Sequence, residues 1–464
     1  MSEEVLEKPK IQKVNATRKT WSATEKVTFR IAFLFFALLT VPIDPDYYKQ
    51  WLTLDWANLH IRDLGSLSGA SFNYIRIDTE SGNFGIVSYV NWGLALLIAL
   101  AGAVIWGRLD KKSSNYRVLY YFISVAVSYS MLMKLEGLTF SKVFPTQMPE
   151  LALTQLNTPF GDFTAQKLYW IQLSFVHPYE TFIGLAELLI MTLLFFRPTR
   201  ALGAAMALTM IGNIAIANHV YDGGIHLAAA FYVIGGIFVL WRYMPPLYQL
   251  LVKEQDTTPE IYSYPFNGPW EKYLRWAFKT FIFLFFFVGS AYLHWQNYKY
   301  DSYKVPARPG LAGACGLYDV KEFYLDGRAI PYSPTDSVRW QQVTFEKWST
   351  ISFSVSNTFI IHGEAGRGKQ FKDVDRTYES AGTGGGRRHY YYEADTIARK
   401  LFLTNKNKIY KDQQWQLNYE RPTDHNIILE GFNENRQKIK VVLERKEKDY
   451  LLYSSGKEPF VSKP

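Results

Sequence analysis

The residues that could carry chemistry are concentrated in one stretch, residues 177–226. Glu180 and Glu187 lie seven residues apart in an apolar run, which places both carboxyl groups on one face of a helix. Ionisable groups at membrane depth are costly, so by default they mark a functional site. We expect these groups to transfer protons or to contact the polar head of a ligand. Further polar residues follow along the stretch: Asn213, Asn218, His219, Tyr221, Asp222 and His226.

Glu187 needs a partner if it is charged at this depth. A carboxylate in the middle of a membrane usually pairs with another group or stays protonated. Asn213, or Lys134 from the preceding apolar run, is the partner that the sequence predicts. Lys134 and Glu136 have a second interpretation, an interfacial pair whose side chains extend toward water.

The residue types in this stretch could also bind a metal ion. His219, Asp222 and His226 include ligand types for a metal ion, but the Gly223-Gly224 turn breaks the helical spacing of a His-x-x-x-His zinc site. We therefore predict no metal site. A polar turn between two helices at the membrane surface is the structural alternative. Haem ligation by two histidines from facing helices stays open for four residues: His177, His219, His226 and His294.

The elements that must position these residues are apolar runs. The chain has 464 residues, which is too long for one compact domain. Each run is close to the ~20 residues that a membrane-spanning helix needs. We therefore predict an α-helical polytopic membrane bundle of about seven transmembrane helices behind a cytoplasmic tail, residues 1–26. The predicted spans are 27–43, 85–106, 116–137, 178–196, 201–218, 224–241 and 273–295.

The basic residues predict the orientation of the bundle. With the N-terminus in the cytoplasm, eighteen lysines and arginines fall in inside segments and five in outside loops. The net charge of +9 therefore reflects membrane topology and not nucleic-acid binding. We predict a multi-pass protein of the bacterial inner membrane, whose partner is the lipid bilayer. Glu187 and Asn213 would lie near the midplane. The outer half would hold Lys134, Glu136, Glu180, His219, Asp222 and His226.

The last third of the chain has a different pattern. Residues 300–464 contain short runs of alternating polarity separated by turn signals such as Asp326-Gly327. A period of two with short turns indicates antiparallel strands, so we predict a β barrel or sandwich domain on the periplasmic side. Residues 366–388 are glycine-rich, and we expect a long flexible hairpin tip or loop there.

The order of several segments resembles the bacterial DoxX-like membrane proteins, in the long form that adds an outer β domain. The resemblance covers about four-fifths of the chain. Two segments depart from the pattern, residues 223–226 and the C-terminal end. The matching segments are Lys142-Val143-Phe144, Gly184-Leu185-Ala186-Glu187, the turn from Arg197 through Arg200 to Ala204, and Asn213 followed by Asn218 and Tyr221-Asp222.

The resemblance implies a connection to quinones. The DoxX family is named for a subunit of a membrane thiosulfate:quinone oxidoreductase, and a related superfamily includes the vitamin K-dependent carboxylase. We therefore expect a DoxX-like core that binds a quinone-like or lipid-soluble ligand in an outer-leaflet pocket, as a redox-associated membrane subunit. The residues expected to contact the head group or to handle protons are Glu187, Asn213, His219 and Asp222, with Glu180, Lys134 and His226 as further candidates.

A non-enzymatic role is the alternative. In that hypothesis the chain is a membrane scaffold or assembly protein, its β domain binds a periplasmic protein partner, and the buried polar residues only hold the bundle together. A redox partner belongs to the first hypothesis. A transporter is the weakest of the three, because the chain has no detectable repeats or paired broken helices.

Overall fold

The structure is a computed structural model that describes residues 20–42, 45–68, 75, 85–257, 261–300, 306–361 and 372–454. A helical bundle is followed by a β barrel. The bundle contains α1 (Ala23–Thr40), α2 (Pro45–Thr53), α3 (Ile61–Ser68), α4 (Val90–Leu109), α5 (Arg117–Val143), α6 (Leu153–Leu156), α7 (Ala165–Ile171), α8 (His177–Phe195), α9 (Arg200–Met206), α10 (Gly212–Val220), α11 (His226–Leu240), α12 (Met244–Leu251), α13 (Pro269–Phe283) and α14 (Ser290–Tyr300).

Six of the described helices, with continuous neighbours joined, are long and apolar enough to cross a membrane. The pair α11 and α12, bent by 77°, makes a seventh if it counts as one span. These helices suggest a multi-pass membrane protein. The predicted bounds need one correction that matters for the site: α5 does not end near residue 137 but continues to Val143.

Two spans contain a short π-helical segment. Residues Ala207–Ile211 join α9 to α10, and residues Leu284–Gly289 join α13 to α14. An extra residue in a helical turn redirects the side chains that follow it, and such segments are frequent at functional sites. The α9–α10 segment is the relevant one here, because Ile211 belongs to the wall of the cavity described below.

The region between the first two predicted spans contains two helices, α2 and α3. Leu64 and Leu67 on α3 are buried against Leu293 on α14. This packing joins the region to the last span. Residues 44, 69–74 and 76–84 lie outside the described residues.

The C-terminal domain is a closed antiparallel barrel, which decides between the two predicted alternatives. Eight strands form the ring, because β1 also pairs with β9, and the two-residue strand β2 pairs with β1 alone. Closure removes the exposed strand edges of a sheet. A short helix, α15 (Leu451–Ser454), follows the barrel. The strands are β1 (Gly316–Leu325), β2 (Arg328–Ala329), β3 (Gln342–Phe345), β4 (Thr350–Ser354), β5 (Arg387–Asp395), β6 (Lys400–Asn405), β7 (Gln414–Glu420), β8 (Asn426–Phe432) and β9 (Lys438–Lys446).

The barrel is buried differently on its two sides. Strands β7 and β9 alternate between buried and exposed residues, so their outer face meets solvent. Strand β4 is buried on both faces, because the segment that connects α5 to α8 covers it. Thr154 on α6 contacts Ser352 on β4 with 2.8 Å between the hydroxyl oxygens. The barrel therefore docks on the helical domain through β3 to β5.

The glycine-rich segment is a loop that leads into β5 where the structure describes it, in residues 372–386. Gly384 donates its N–H to the carbonyl of Asp162 at 2.6 Å, which joins this loop to the segment between α5 and α8. Gly386 has φ +69°, and a Cβ there would lie 1.7 Å from the carbonyl oxygen of Val355, which follows β4. Gly386 thus allows close packing within the barrel domain. Residues 366–371 of the prediction lie outside the described residues.

Candidate functional site

Glu187 forms a buried ion pair with Lys142. The Lys142 Nζ lies 3.0 Å from each Glu187 carboxylate oxygen, and the two side chains are 6% and 1% exposed. The predicted partners, Asn213 and Lys134, were wrong. The reason is the length of α5: its last turns carry Lys142 to α8, whereas the predicted span ends at residue 137.

Gly184 allows this pair to form. It lies one turn before Glu187 on α8, and a Cβ there would lie 2.6 Å from the Val143 backbone nitrogen and 2.9 Å from the Lys142 Cβ. Only glycine permits so close an approach of two helices without a shift of the backbone. The Gly-Leu-Ala-Glu segment therefore sets the distance between α5 and α8 at the height of the ion pair.

The ion pair lines a cavity of about 240 Å³ between α5, α7, α8, α10 and α11. Tyr232 of α11 also lines it, and this side chain is fully buried. Within the described part of the chain, neither the Tyr232 hydroxyl nor the Gln147 Oε1 has a hydrogen-bond partner. Burying such groups unpaired is unfavourable. The cavity thus joins a charged pair to polar atoms that a ligand or water could satisfy.

Aromatic residues of α7 form one wall of the cavity. Tyr169 accepts a hydrogen bond from Asn218 at 3.2 Å, and its ring stacks on Tyr221 with centroids 5.4 Å apart. Trp170 donates its indole N–H to the Gly223 carbonyl at 3.1 Å. The turn between α10 and α11 therefore holds this wall in place.

Asp222 belongs to the same turn and acts through its backbone. Its carbonyl accepts a hydrogen bond from the Gln166 side chain at 2.7 Å, and its φ is +50°. Asp222 is not among the residues that line the cavity. Its backbone thus holds the start of α7, and the predicted contact of Asp222 with a head group stays a prediction.

His219 and His226 form a separate cluster. The His219 Nε2 lies 2.7 Å from the Tyr89 hydroxyl, and the His226 Nε2 lies 2.7 Å from the Ser88 hydroxyl. The two imidazole centroids are 5.2 Å apart. Neither histidine lines the cavity. In the described ranges, no group of three or more His, Cys, Asp or Glu side chains is arranged to hold a metal ion.

The remaining predicted site residues lie away from the cavity. Glu180 is fully buried, and one of its carboxylate oxygens lies 3.5 Å from the His177 Nδ1. Asn213 is exposed on α10. Lys134 lies with its Nζ 5.6 Å from the centre of the Phe231 ring.

Lys134 and Glu136 contact different helices, so the predicted interfacial pair is wrong. Lys134 faces α11 through Phe231, whereas Glu136 accepts a hydrogen bond from Ser290 on α14. His294, also on α14, lies 3.7 Å from the same carboxylate. Residues two apart on a helix point to different sides, which explains the separation.

Sequence reasoning missed three parts of the site: Lys142, Tyr232 and the α7 wall. One signal was available for Lys142. No proline or glycine lies between Gly137 and Pro145, so nothing in that segment ends the helix before the lysine. Tyr232 and Trp170 gave no signal, because an aromatic residue in an apolar run most often packs in the core.

A second ionic cluster lies where the barrel meets the helical domain. The Lys406 Nζ lies 3.1 Å from a Glu379 carboxylate oxygen, and both side chains are fully buried. Burial alone would raise the pKa of Glu379, but the charges of Lys406 and Arg376 lower it to about 2. Burial lowers the pKa of Lys167 on α7 to about 7, and this ammonium donates to the Tyr378 carbonyl.

Glu346 and His389 belong to the same junction. The Glu346 carboxylate accepts backbone hydrogen bonds from Leu153 and Thr154, each at 2.8 Å. Burial raises the pKa of Glu346 to about 7, against the effect of these hydrogen bonds. Burial, with the charge of Arg387, lowers the pKa of His389 to about 3. All these groups hold the segment between α5 and α8 on the barrel.

Comparisons with known proteins give one partial match. No protein-family model matches the chain, and no solved structure matches it. An uncharacterized protein of Bacillus subtilis (strain 168), YwoB, is 33% identical over 72 residues, which are 16% of this chain and 47% of the relative. The chain thus matches about half the length of this curated relative. The resemblance to DoxX-like proteins stays a prediction.

Proposed function

We propose that the cavity beside Lys142 and Glu187 binds the polar head of a lipid-soluble, quinone-like ligand, and that the chain serves as a redox-associated membrane subunit. One observation carries the proposal: a buried ion pair and the unpaired hydroxyl of Tyr232 line the same aromatic cavity. The Tyr232 hydroxyl is a hydrogen-bond donor of the kind that a ring carbonyl oxygen requires, and Lys142 becomes a second donor when the ligand replaces one of its three acceptors.

The energetics favour a functional role for the pair. Taking two charges out of water costs several kcal/mol per ion, and apolar residues of similar volume often give equal or higher stability. Lys142 also donates to the Leu138 carbonyl at 3.1 Å, so together with the two Glu187 oxygens its three N–H donors all have acceptors, and a ligand would have to replace one of them. An arrangement this costly, placed beside a cavity and not in a packed core, is typical of a site that binds or transfers protons.

The size of the cavity suits a ligand whose polar head group lies inside it and whose hydrocarbon tail lies outside. Pockets that enclose a drug-sized ligand measure roughly 300–1,000 Å³, and this one is smaller. Tyr179, at the edge of the cavity, stacks on Phe182, which is 65% exposed. A ring could therefore lie inside while its hydrocarbon tail follows the outer surface of α8.

In this proposal each residue of the cavity has a separate role. Glu187 holds the Lys142 Nζ at the wall of the cavity, where it can donate a hydrogen bond to a carbonyl oxygen that replaces one of its present acceptors. Tyr232 provides a second donor from the opposite helix, and Trp170 closes the wall against water. A bound quinone accepts electrons and protons at its oxygens, and the electrons would come from a redox protein partner.

The test is ligand retention in the purified full chain. The protein is isolated in mild detergent, its lipids are extracted, and quinones are identified by absorbance and mass. The same preparation is then titrated with decylubiquinone and with menadione. We expect wild-type protein to retain or bind a quinone, and Glu187→Gln and Lys142→Met to lose at least about tenfold in affinity, as removal of a charge-assisted hydrogen bond predicts.

Glu180→Gln is the matched control, because Glu180 is equally buried on the same helix but does not line the cavity. It should bind like the wild type. Wild-type protein that binds neither quinone, or Glu187→Gln protein that folds and binds normally, would refute the proposal. A protein partner that co-purifies without any quinone would favour the scaffold hypothesis.

A further inference from the structure

A second and larger cavity, of about 510 Å³, lies at the opposite end of the bundle from the barrel. It is found where α5 begins, α8 ends and α9 begins. Apolar and aromatic side chains form most of its wall, among them Tyr121, Phe122, Phe266 and Phe278. The quinone proposal does not involve this cavity, because the two have no lining residue in common.

Four cationic side chains line this apolar cavity: Arg197, Arg200, Arg275 and Lys279. Aromatic rings hold two of them. The Arg275 guanidinium lies 5.0 Å from the centre of the Phe266 ring, and the Lys279 Nζ lies 4.7 Å from that of Phe195. Such contacts position a cation without neutralising it.

Among the described residues, one carboxylate lines the cavity, and it has other partners. Glu271 accepts hydrogen bonds from the Tyr264 hydroxyl at 2.9 Å and from the Gly268 N–H at 3.2 Å. The Nε of Arg200 is buried and has no hydrogen-bond partner among the described residues. The cavity therefore has a surplus of positive charge, and one of its guanidinium groups has an unused donor directed into protein and not into water.

The usual enrichment of basic residues at the ends of spans does not explain this arrangement. That enrichment requires only that lysines and arginines reach water near the membrane surface. Here they surround a cavity between helices, and its wall is mostly apolar. A ligand that matches both features must carry an anionic group and a hydrocarbon part.

We propose that this cavity binds the phosphate group of an anionic phospholipid, with an acyl chain along the aromatic wall. Basic pockets between transmembrane helices are suited to such head groups, and each Lys or Arg near an anionic membrane surface contributes an affinity factor of about five. Arginine can contact phosphate oxygens through two N–H groups at once. The site binds lipid at one end of the bundle, independently of any ligand at the other.

Native mass spectrometry of the full chain tests this proposal. The protein is taken from nanodiscs of phosphatidylcholine alone or of phosphatidylcholine mixed with phosphatidylglycerol. We expect discrete phosphatidylglycerol adducts on the wild type. Arg200→Gln/Arg275→Gln should weaken them by roughly twenty-five-fold, from about fivefold for each cation removed.

Two variants control for folding and for general charge. Arg200→Lys/Arg275→Lys keeps the charge and should retain most of the adduct. Arg108→Gln removes an exposed cation near the end of α4, away from the cavity, and should bind like the wild type. Equal retention of both lipids by wild-type protein overturns the proposal, as does an equal loss in Arg108→Gln.

The source of the phosphate is decided by competition. Inorganic phosphate at a concentration that leaves the protein intact should not displace phosphatidylglycerol. Displacement would indicate a site for a free anion and overturn the lipid assignment. Quinone binding measured in the same preparations should be unchanged in all three variants, which separates failure of this proposal from failure of the first.

Discussion

Two buried lysine–glutamate pairs of nearly equal geometry lie in very different surroundings. Lys142 and Glu187 are 3.0 Å apart between two spans, and Lys406 and Glu379 are 3.1 Å apart at the base of the barrel. The second pair has further charged and polar neighbours: Lys406 also donates to the Thr350 hydroxyl at 3.2 Å, and the Arg376 Nε lies 3.6 Å from the other Glu379 oxygen. The first pair lines a cavity.

This difference distinguishes an ion pair that stabilises the fold from one that could bind a ligand. The cluster of Lys406, Glu379 and Arg376 lines neither of the two cavities described above, and its charges hold the segment 372–386 to strands β4 and β6. The pair in the bundle has a cavity on one side and an unpaired tyrosine hydroxyl nearby. An ion pair by itself therefore says little about its role, and the space beside it says more.

The largest effect should come from the cluster of Lys406, Glu379 and Arg376. Glu379→Gln leaves Lys406 and Arg376 buried without a counter-charge, so the free energy of unfolding should fall by about 3–5 kcal/mol. Thermal unfolding of the detergent-solubilised protein measures this. Glu187→Gln should lose less, because one cation instead of two loses its counter-charge, and Lys142 keeps its hydrogen bond to the Leu138 carbonyl. Equal losses in the two variants would contradict the distinction between the pairs.

The junction around Glu346 should respond to pH. Its folded-state pKa of about 7 exceeds the ordinary 4.5, so the folded state binds the proton more tightly and stability falls as pH rises from 4.5 to 7. Over this pH range the free energy of unfolding should fall by about 3 kcal/mol. His389 has the opposite effect on stability. Its folded-state pKa of about 3 lies below the ordinary 6.5, so its contribution to stability is lost as pH falls from 6.5 toward 3.

The comparison of wild type with Glu346→Gln isolates the Glu346 contribution. The stability of the variant relative to wild type should increase by about 3 kcal/mol from pH 4.5 to pH 7, because only the wild type must ionise this carboxyl group. Denaturant unfolding at a series of pH values gives the curve. A constant difference across this range would mean that Glu346 is ionised throughout.

Helix spacing at the cavity gives the next effect. Gly184→Ala places a Cβ against the Val143 backbone, so α5 and α8 must separate. The free energy of unfolding should fall by about 1–3 kcal/mol, and ligand binding should be lost. Gly137→Ala is the matched control, because nothing lies within 4 Å of its Cβ position on α5. It should be neutral or stabilising by up to about 1 kcal/mol. Ligand binding retained in Gly184→Ala would show that the spacing does not matter.

The smallest effect on stability is expected from replacing the whole pair in the bundle. Lys142→Met/Glu187→Leu should change the free energy of unfolding by about 1 kcal/mol or less, because both charges leave together. Ligand binding should nevertheless disappear. Lys406→Met/Glu379→Leu is the counterpart at the junction and should destabilise strongly, since Arg376 remains buried there. If Lys142→Met/Glu187→Leu destabilises the protein as much as Lys406→Met/Glu379→Leu does, both pairs serve to stabilise the fold.

The sequence determined the elements and one residue of the site. Apolar runs of the right length predicted the spans, because a helix in lipid must satisfy its backbone internally. Alternation with period two predicted the strands, because successive side chains in a strand point to opposite faces. Glu187 was identified for a local reason as well: a carboxyl group in the middle of an apolar run is costly wherever its partner lies.

Only the tertiary structure decided the partners. Lys142 meets Glu187 because α5 extends to Val143 and Gly184 lets α8 approach it, and neither distance is encoded in the local pattern. Closure of the barrel depends on pairing between β1 and β9, far apart in the chain. The α7 wall is held by a turn some fifty residues further on. Such contacts depend on how helices and strands pack, whereas sequence patterns report only what each element buries.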